Sequence, residues 1–485
     1  MDLIRIEKVN EVHNKIRCEA FLAKELDSYF TFKVPGYQFM PEYRSGFWNG
    51  KIHLFNTSTR LLYAGLMEYV EKFAQERDYQ VEYMYDNSSF EMSLHEAKEY
   101  INTLELKLEP RDYQVEAFAH AVRNNRCLLV SPTASGKSLI IYLLIRWYRF
   151  TRSKILLIVP TTSLVHQMFT DFESYGFDSK KYCHMIHSGK DKQTDKPIVI
   201  TTWQSVYKMP NEWFSRYNVV VGDEAHLFKA KSLTSILSKL ENCKYRFGFT
   251  GTLDGTQTHK LVLEGLFGPV KRVTTTKELI DQKHLSQFKI KCLVLKYPED
   301  ECRLVAKKKY KEEIDFLVAS EKRNKFIKNL SLSLKGNTLL LFQYIEKHGN
   351  ILYKMIQDEI GEGRKVYYVH GGVEAEDREN IRMLVEMENN SVIIASYGTF
   401  STGVNIRNLH NIIFASPSKS KIRNLQSIGR GLRLGENKDG CVLFDISDDL
   451  KHESRKNYSL QHFIERVKIY NDERFDYKMY PVKLT

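Results

Sequence analysis

Ser131-Pro132-Thr133-Ala134-Ser135-Gly136-Lys137-Ser138 lies between two apolar runs, Cys127–Val130 and Leu139–Ile145. A strand, a loop of this kind and a helix, in that order, make a phosphate-binding loop. Backbone N–H groups and the helix N-terminus cradle the phosphates, Lys137 reaches the β and γ oxygens, and the Ser138 hydroxyl ligates Mg2+. Ser131 stands where the usual GxxxxGK[ST] pattern has its first glycine. Further along, Asp223-Glu224-Ala225-His226 follows the apolar Val219-Val220-Val221. An acidic pair at the C-terminal end of a strand suits metal-assisted phosphoryl transfer. Asp223 would hold the water shell of Mg2+, and Glu224 would orient and deprotonate the attacking water. Alone, the four residues read equally well as a helix cap at a strand exit; the loop at 131–138 tips the balance. Gln426-Ser427-Ile428-Gly429-Arg430-Gly431-Leu432-Arg433 sets Arg430 and Arg433 on one helical face. Two forked guanidiniums in register suit a γ-phosphate held by a facing domain. The plain alternative is a solvated basic face.

These groups need a scaffold, and the hydrophobic pattern supplies one. Residues 1–95 read as a small α+β module: a strand at Leu3–Ile6, helical spacing over Glu19–Phe30 and Leu66–Arg77, and a hairpin around Asn49-Gly50 within Phe47–Phe55. Over 96–285 the pattern changes to buried strands alternating with helices, at Cys127–Val130, Ile155–Val159, Ile198–Ile200, Val219–Val221 and Arg246–Phe249. It recurs over 286–450 at Leu339–Phe342, Val366–Val369, Val392–Ala395, Ile412–Phe414 and Val442–Phe444. Continuous apolar strands between helices predict parallel sheets covered on both faces. The expected fold is therefore α/β, with two tandem parallel-sheet domains, a small N-terminal α+β domain and a short helical tail over 451–485.

Composition agrees. A chain of 485 residues suits about three domains of roughly 150 residues. Lys+Arg of 72 against Asp+Glu of 60 leaves +12, which points to a polyanionic partner, nucleic acid before membrane lipid. The charge is partitioned: residues 1–95 carry 11 basic and 14 acidic side chains, 96–285 carry 27 and 19, and 286–485 carry 34 and 27. The basicity thus belongs to the two sheets and the tail. The seven cysteines are scattered without metal-ligand spacing, which predicts reduced thiols in a cytoplasmic protein. No run approaches the ~20 apolar residues of a membrane span. His184 and His187 read as a surface strand and loop rather than a metal pair.

Taken in order, the motifs resemble a superfamily 2 helicase motor of the DEAH type, with two RecA-like domains, over about 340 residues. Arg111-Asp112-Tyr113-Gln114 resembles the adenine-reading segment, so the resemblance gives Arg111 and Gln114 to nucleotide binding. Ser131, Pro132, Thr133, Ala134, Ser135, Gly136, Lys137 and Ser138 form motif I, with Ala134 in place of a common glycine. Pro160-Thr161-Thr162 and Thr201-Thr202-Trp203-Gln204 resemble motifs Ia and Ib, and Thr250-Gly251-Thr252 motif III. Phe342-Gln343-Tyr344 lies at motif IV. Ser396-Tyr397-Gly398-Thr399 with Thr402-Gly403-Val404-Asn405 resembles motif V, Asn405 standing where aspartate is frequent, and Gln426–Arg433 motif VI. The resemblance implies nucleotide contacts from Gly403 and Gln426, and coupling through His226, Thr250 and Thr252. It implies strand contacts from Thr161, Thr202, Trp203, Thr399 and Thr402, through phosphates rather than base edges.

Gly36–Phe39, Phe47–Ile52, Tyr397–Gly403 and Asn471–Tyr477 resemble the UvsW recombination helicases of tailed bacteriophages, nearly end to end. That resemblance implies an ATP-dependent, Mg2+-requiring DNA helicase with little sequence specificity. It would regress forks, migrate Holliday junctions and unwind R-loops in phage recombination, repair and replication, in the host cytoplasm and away from membranes. Its partners would be branched or forked DNA and RNA–DNA hybrids; recombination or replication proteins are not named by the sequence. Two other readings stay open here: an RNA or RNA–DNA helicase, and a DNA-binding scaffold with an inactive ATPase, which intact Lys137, Glu224 and Arg430 argue against. In the N-terminal module Tyr37, Phe39, Tyr43, Arg44, Trp48, Lys51 and His53 read first as the core of a hairpin and second as a stacking surface for nucleic acid.

Overall fold

The structure, a computed structural model, describes residues 3–484 except 89, 152, 188, 190, 230, 254–256, 400–405, 407, 417–419, 421–426, 430, 433–437 and 439. It divides into two compact units, one of residues 1–131 and 136–274, the other of 132–135 and 275–485.

The first unit opens with β1 (Leu3–Lys8), β2 (His13–Arg17), β3 (Thr31–Lys33), β4 (Lys51–His53), β5 (Leu61–Tyr63) and β6 (Gln80–Tyr83). Strands β5-β2-β1-β6 form one sheet, and β3-β4 a separate ribbon. Helices Ala20–Tyr29 and Met67–Gln75 close the core with Leu22, Leu26, Phe30, Val70 and Phe73. Asn49-Gly50 is not the turn of a hairpin. β4 pairs with β3 across a connection of seventeen residues, and the side chain of Asn49 accepts from Lys51 N in an Asx turn that launches β4. The aromatics of this segment divide: Tyr37 and Trp48 are half-buried, Trp48 Nε1 donating to the Lys51 carbonyl at 2.7 Å, while the long connection between β3 and β4 carries Phe39, Tyr43 and Phe47 outward. Phe39 is 68% and Phe47 91% exposed.

The larger sheet of this unit contains β7 (Arg126–Val130), β8 (Ile155–Val159), β9 (Cys183–Ile186), β10 (Ile198–Thr202), β11 (Val219–Gly222), β12 (Tyr245–Thr250) and β13 (Val270–Arg272). All run parallel in the order β13-β7-β12-β11-β8-β10-β9. The helices Lys137–Phe150 and Thr162–Ser174 cover one face and Lys231–Lys239 and Gln257–Phe267 the other. Helix 257–267 is also where the N-terminal sheet docks. Leu261 enters its core, Tyr69 donates to Glu264 at 2.7 Å, and Gly65 lies so close that a Cβ there would stand 2.0 Å from the Glu264 carbonyl oxygen. Arg126 donates to the Glu11 carbonyl at 2.8 Å across the same seam. Beneath it the fully buried Arg246 donates to four backbone carbonyls, of Leu237, Leu240, Cys243 and Leu266. A buried guanidinium survives because these carbonyls replace water.

The second unit holds β14 (Gln287–Lys296), β15 (Thr338–Phe342), β16 (Lys365–Val369), β17 (Ser391–Ser396), β18 (Asn411–Phe414), β19 (Gly440–Asp449) and β20 (Tyr477–Lys483). Its sheet is again parallel, in the order β16-β17-β15-β18-β19-β14-β20. Two buried ion pairs anchor the C-terminal half of β19: Asp448 accepts from Arg323 at 2.7 Å and Asp445 from Arg466 at 2.8 Å. The Tyr297 and Tyr470 hydroxyls fill the same carboxylates. The tail contains the expected helix, Tyr458–Asp472, but then adds β20 beside β14, whose backbone edge would otherwise face water.

Among the described residues no helix is long and apolar enough to cross a membrane, and no group of three or more His, Cys, Asp or Glu side chains is placed to hold a metal ion. All seven cysteines are free. His184 lies in β9 and its Nε2 is 2.8 Å from the Asp191 carbonyl.

Candidate active site

Residues 131–136 connect β7 to helix Lys137–Phe150, so the loop sits at the C-terminal edge of the sheet with the helix N-terminus at its end. Two residues turn it through left-handed backbone: Ala134 at φ 65° and Gly136 at φ 76°. The first explains why a glycine is common at that place in the motif; alanine adopts this φ at a cost of about 1–2 kcal/mol. Gly136 disfavours a side chain on two counts: its left-handed φ, and a Cβ that would stand 2.4 Å from Gln114 Nε2 and displace that amide. Gln114 is buried. Its amide reaches the Gly136 carbonyl at 3.4 Å and its oxygen accepts from Arg111 N at 2.8 Å. The segment resembling the adenine reader is thereby tied to the loop. Arg111 donates to the Tyr113 hydroxyl at 2.8 Å.

Within the loop, the Ser135 hydroxyl donates to the Pro132 carbonyl at 2.7 Å, Ser131 is buried, and Lys137 Nζ donates to the Ser131 carbonyl at 3.2 Å. Ser138 Oγ is 2.9 Å from the Tyr175 hydroxyl. That partner lies outside every motif and only the packing of helix 162–174 brings it there. Thr133 lies in the same loop, with no feature in its own spacing to set it apart.

β11 ends at Gly222, and Asp223 and Glu224 leave the same sheet edge. Asp223 is buried and its Oδ1 has no hydrogen-bond partner among the described residues. Burial pushes its carboxyl up to about 6, the Glu224 charge adds to that, and Lys137 and His226 pull the other way. Glu224 holds φ 49°, left-handed backbone of the kind stored at functional sites. His226 Nδ1 is 3.3 Å from Glu224 Oε2 and 3.0 Å from Thr250 Oγ1 at the end of β12. Thr250 in turn donates to the Thr252 carbonyl at 2.8 Å. The segment resembling motif III is thus joined to the acidic pair through one imidazole.

A buried carboxylate oxygen without a donor, next to a second carboxylate, fits a cation site, and Ser138 at the helix start is the hydroxyl such a site would add. The backbone nest from 134 to 136 fits an anion.

The expected strand contacts divide. Thr161 and Trp203 reach the surface in part; the Thr161 hydroxyl caps its helix, accepting from Leu164 N at 3.3 Å, and Trp203 packs edge-on to Tyr207. Thr202 and Thr399 are buried, because their hydroxyls serve local partners, Ser205 Oγ and Ser396 Oγ, both at 2.9 Å. Thr402, Gly403, Gln426, Arg430 and Arg433 lie outside the described residues.

With this geometry in place, comparison with known proteins is decisive. Residues 4–84 match the family described as DNA helicase UvsW, N-terminal; 107–255 match Type III restriction enzyme, res subunit; and 321–435 match the helicase conserved C-terminal domain. The chain is 36% identical to the ATP-dependent DNA helicase uvsW of Enterobacteria phage T4, over 97% of this chain and 98% of that one. It belongs to the UvsW helicase family. The crystal structure of T4 UvsW aligns with this UvsW-family chain over the whole of both, at 35% identity and a TM-score of 0.53. A more distant relative, the DNA 3'-5' translocase XPB2 of Sulfurisphaera tokodaii, is 28% identical over 40% of this chain and 42% of its own length. The tandem RecA-like fold is confirmed, and the UvsW-family chain is an ATP-hydrolysing helicase of superfamily 2.

Proposed function

We propose that this helicase hydrolyses ATP at the edge formed by the ends of β7 and β11, and spends the energy on branched or forked DNA. The reactions would be fork regression, Holliday-junction branch migration and R-loop unwinding, in phage recombination, repair and replication in the bacterial cytoplasm. The observation that carries the reading is the buried Asp223 carboxylate beside Glu224 and Lys137.

In this reading Lys137 and the backbone nest bind the triphosphate, and Arg111 and Gln114 hold the base side of the nucleotide. Ser138 and, through water, Asp223 would hold Mg2+, which would supply charge neutralisation at the phosphates. Glu224, held at left-handed φ and oriented by His226, takes the proton of the attacking water. Arg430 and Arg433 neutralise charge during transfer, with Gln426 and Gly403 completing the nucleotide contacts. Thr250 and Thr252 relay the state of the acidic pair through His226. Contacts to DNA run through the backbone, so sequence preference is weak and affinity falls steeply with salt.

Rates of ATP hydrolysis, measured side by side with single-stranded DNA, forked DNA, a Holliday junction and RNA, test the proposal. Junction and fork should stimulate most. Stimulation by RNA alone would overturn it, and full hydrolysis by Lys137→Ala would remove the site.

A further inference from the structure

In the second unit a cavity of about 180 Å3 opens between the turn Val305–Lys308 and the segment Arg455–Gln461. Its rim carries Lys308, Arg455 and Lys456, and Lys307, Lys309 and Lys311 flank it. Among the described residues none of these six cations forms an ion pair. Most of the carboxylates around them, Asp300 and Glu453 apart, are engaged elsewhere. Glu299 binds His452 at 2.8 Å, Glu301 Lys322 at 3.5 Å and Asp315 Lys347 at 2.7 Å. Glu312 accepts from Lys309 N. Glu313, lining the cavity floor, is buried and accepts from Asn457 Nδ2, Tyr458 N, Ser459 N and Ser459 Oγ at 2.6–3.0 Å. The fold therefore spends the Glu313 charge internally and leaves the basic rim facing solvent.

The position matters as much as the charge. β14, β15, β17 and β19 are parallel, so the chain leaves all four at one edge of the sheet. The cavity lies past the ends of β14 and β19, on the edge where Gln343-Tyr344 follows β15 and Ser396-Tyr397 closes β17. The Lys347–Asp315 pair ties the segment after Tyr344 to helix Tyr310–Ala319, which begins at the basic turn. Tyr310 and Tyr344 are exposed, 40% and 39%. Tyr310 is braced edge-on by Tyr458, with ring centroids 5.7 Å apart. Unpaired cations around a concave polar site, with exposed tyrosines alongside, fit a phosphodiester backbone whose bases or sugars reach the rings.

We propose that Lys308, Arg455 and Lys456 form a DNA-backbone site outside the helicase motifs, extending the strand track along this edge of the second sheet. The inference rests on the DNA reading above and adds residues that the motifs do not contain.

The test is fluorescence anisotropy of the full chain on labelled forked DNA, with affinity measured across a salt series. Replacing all three cations by alanine should flatten the dependence of log affinity on log salt by about two to three, since each phosphate contact contributes roughly 0.7–0.9. Lys308→Ala alone should flatten it by nearly one, and guards against misfolding of the triple variant. The charge-keeping variant, with Lys308→Arg, Arg455→Lys and Lys456→Arg, should retain the original slope. Wild-type slope in both alanine variants overturns the inference while leaving the DNA reading intact. No binding of forked DNA by the unmodified chain overturns both. Unchanged DNA affinity combined with loss of an acidic protein partner would assign the patch to protein and equally overturn it.

Discussion

His226 Nδ1 lies 3.0 Å from Thr250 Oγ1, so the end of β12 and the acidic pair after β11 share one hydrogen bond. Both side chains are buried, and removing either partner leaves the other one hydrogen bond short, with Thr250 held only to the Thr252 carbonyl or His226 only to Glu224, at about 0.5–1.5 kcal/mol. Thr250→Val should therefore separate hydrolysis from work. DNA unwinding is expected to fall about tenfold further than ATP hydrolysis, within the usual range of coupling energies. Thr250→Ser keeps the hydroxyl and should keep the coupling. Equal losses in both assays would contradict the relay.

Asp223 carries a pH prediction. Its folded-state carboxyl is pushed up to about 6 from an ordinary value of 3.8 by burial and by the Glu224 charge. A carboxyl raised on folding costs stability above its folded pKa, and the cost disappears as pH falls through 6 toward 3.8. In EDTA, Asp223→Asn should raise Tm at pH 8 and lose that advantage as pH falls from 6 toward 4. In the unmodified chain, half-saturating Mg2+ for hydrolysis should rise below pH 6, where the proton competes with the cation. Thermal melts and Mg2+ titrations across that window check both signs; a pH-independent gain would refute the assignment.

The phosphate loop offers a stability prediction of opposite signs at two neighbouring positions. Ala134→Gly relieves left-handed backbone worth about 1–2 kcal/mol but loosens the unfolded chain by about 0.4–1 kcal/mol. A small net gain is expected, on the order of 0.5 kcal/mol. Gly136→Ala meets both a positive φ and the Gln114 amide, so it should lower Tm and abolish nucleotide binding. Calorimetry with and without ATP distinguishes the two.

Gly65 locks the N-terminal sheet to helix 257–267. A methyl there points at backbone, the Glu264 carbonyl, which cannot swing aside as a side chain could. Gly65→Ala should open the seam, weaken the Tyr69–Glu264 bond and make the connection after β6 a preferred site of limited proteolysis. An unchanged digestion pattern would show that the seam yields without separating.

Much of this was legible in the residues. The two sheets followed from strands such as Ile155–Val159, continuous in apolar residues and found at those bounds. Lys137, at a helix start after β7, and Asp223 and His226, just past the end of β11, stand where type and spacing led one to look. The Asn49-Gly50 signal misled, since a local turn preference does not say which strand will pair; β4 found β3 across a long connection. Tyr175 on Ser138 and Glu264 beneath Tyr69 were illegible, because both are contacts made by packing between distant helices. Alternation hides in β14, where Lys289 and Lys291 interrupt the apolar run that marked the other strands. β20 carries Pro481 and several exposed residues, an edge-strand composition that reads as tail.

The place of β14 has a kinetic consequence. Its neighbours, β19 and β20, begin at Gly440 and Tyr477, well over a hundred residues after Gln287. At a synthesis rate of about 5–20 residues per second, β14 waits on the order of ten seconds or more with both edges bare. An unpaired apolar strand held that long invites pairing with another nascent chain. Lys289, Lys291 and Lys296, all exposed in the finished sheet, put charge along it throughout the wait. The residues that obscure the strand in the sequence thus serve as gatekeepers while it is being made.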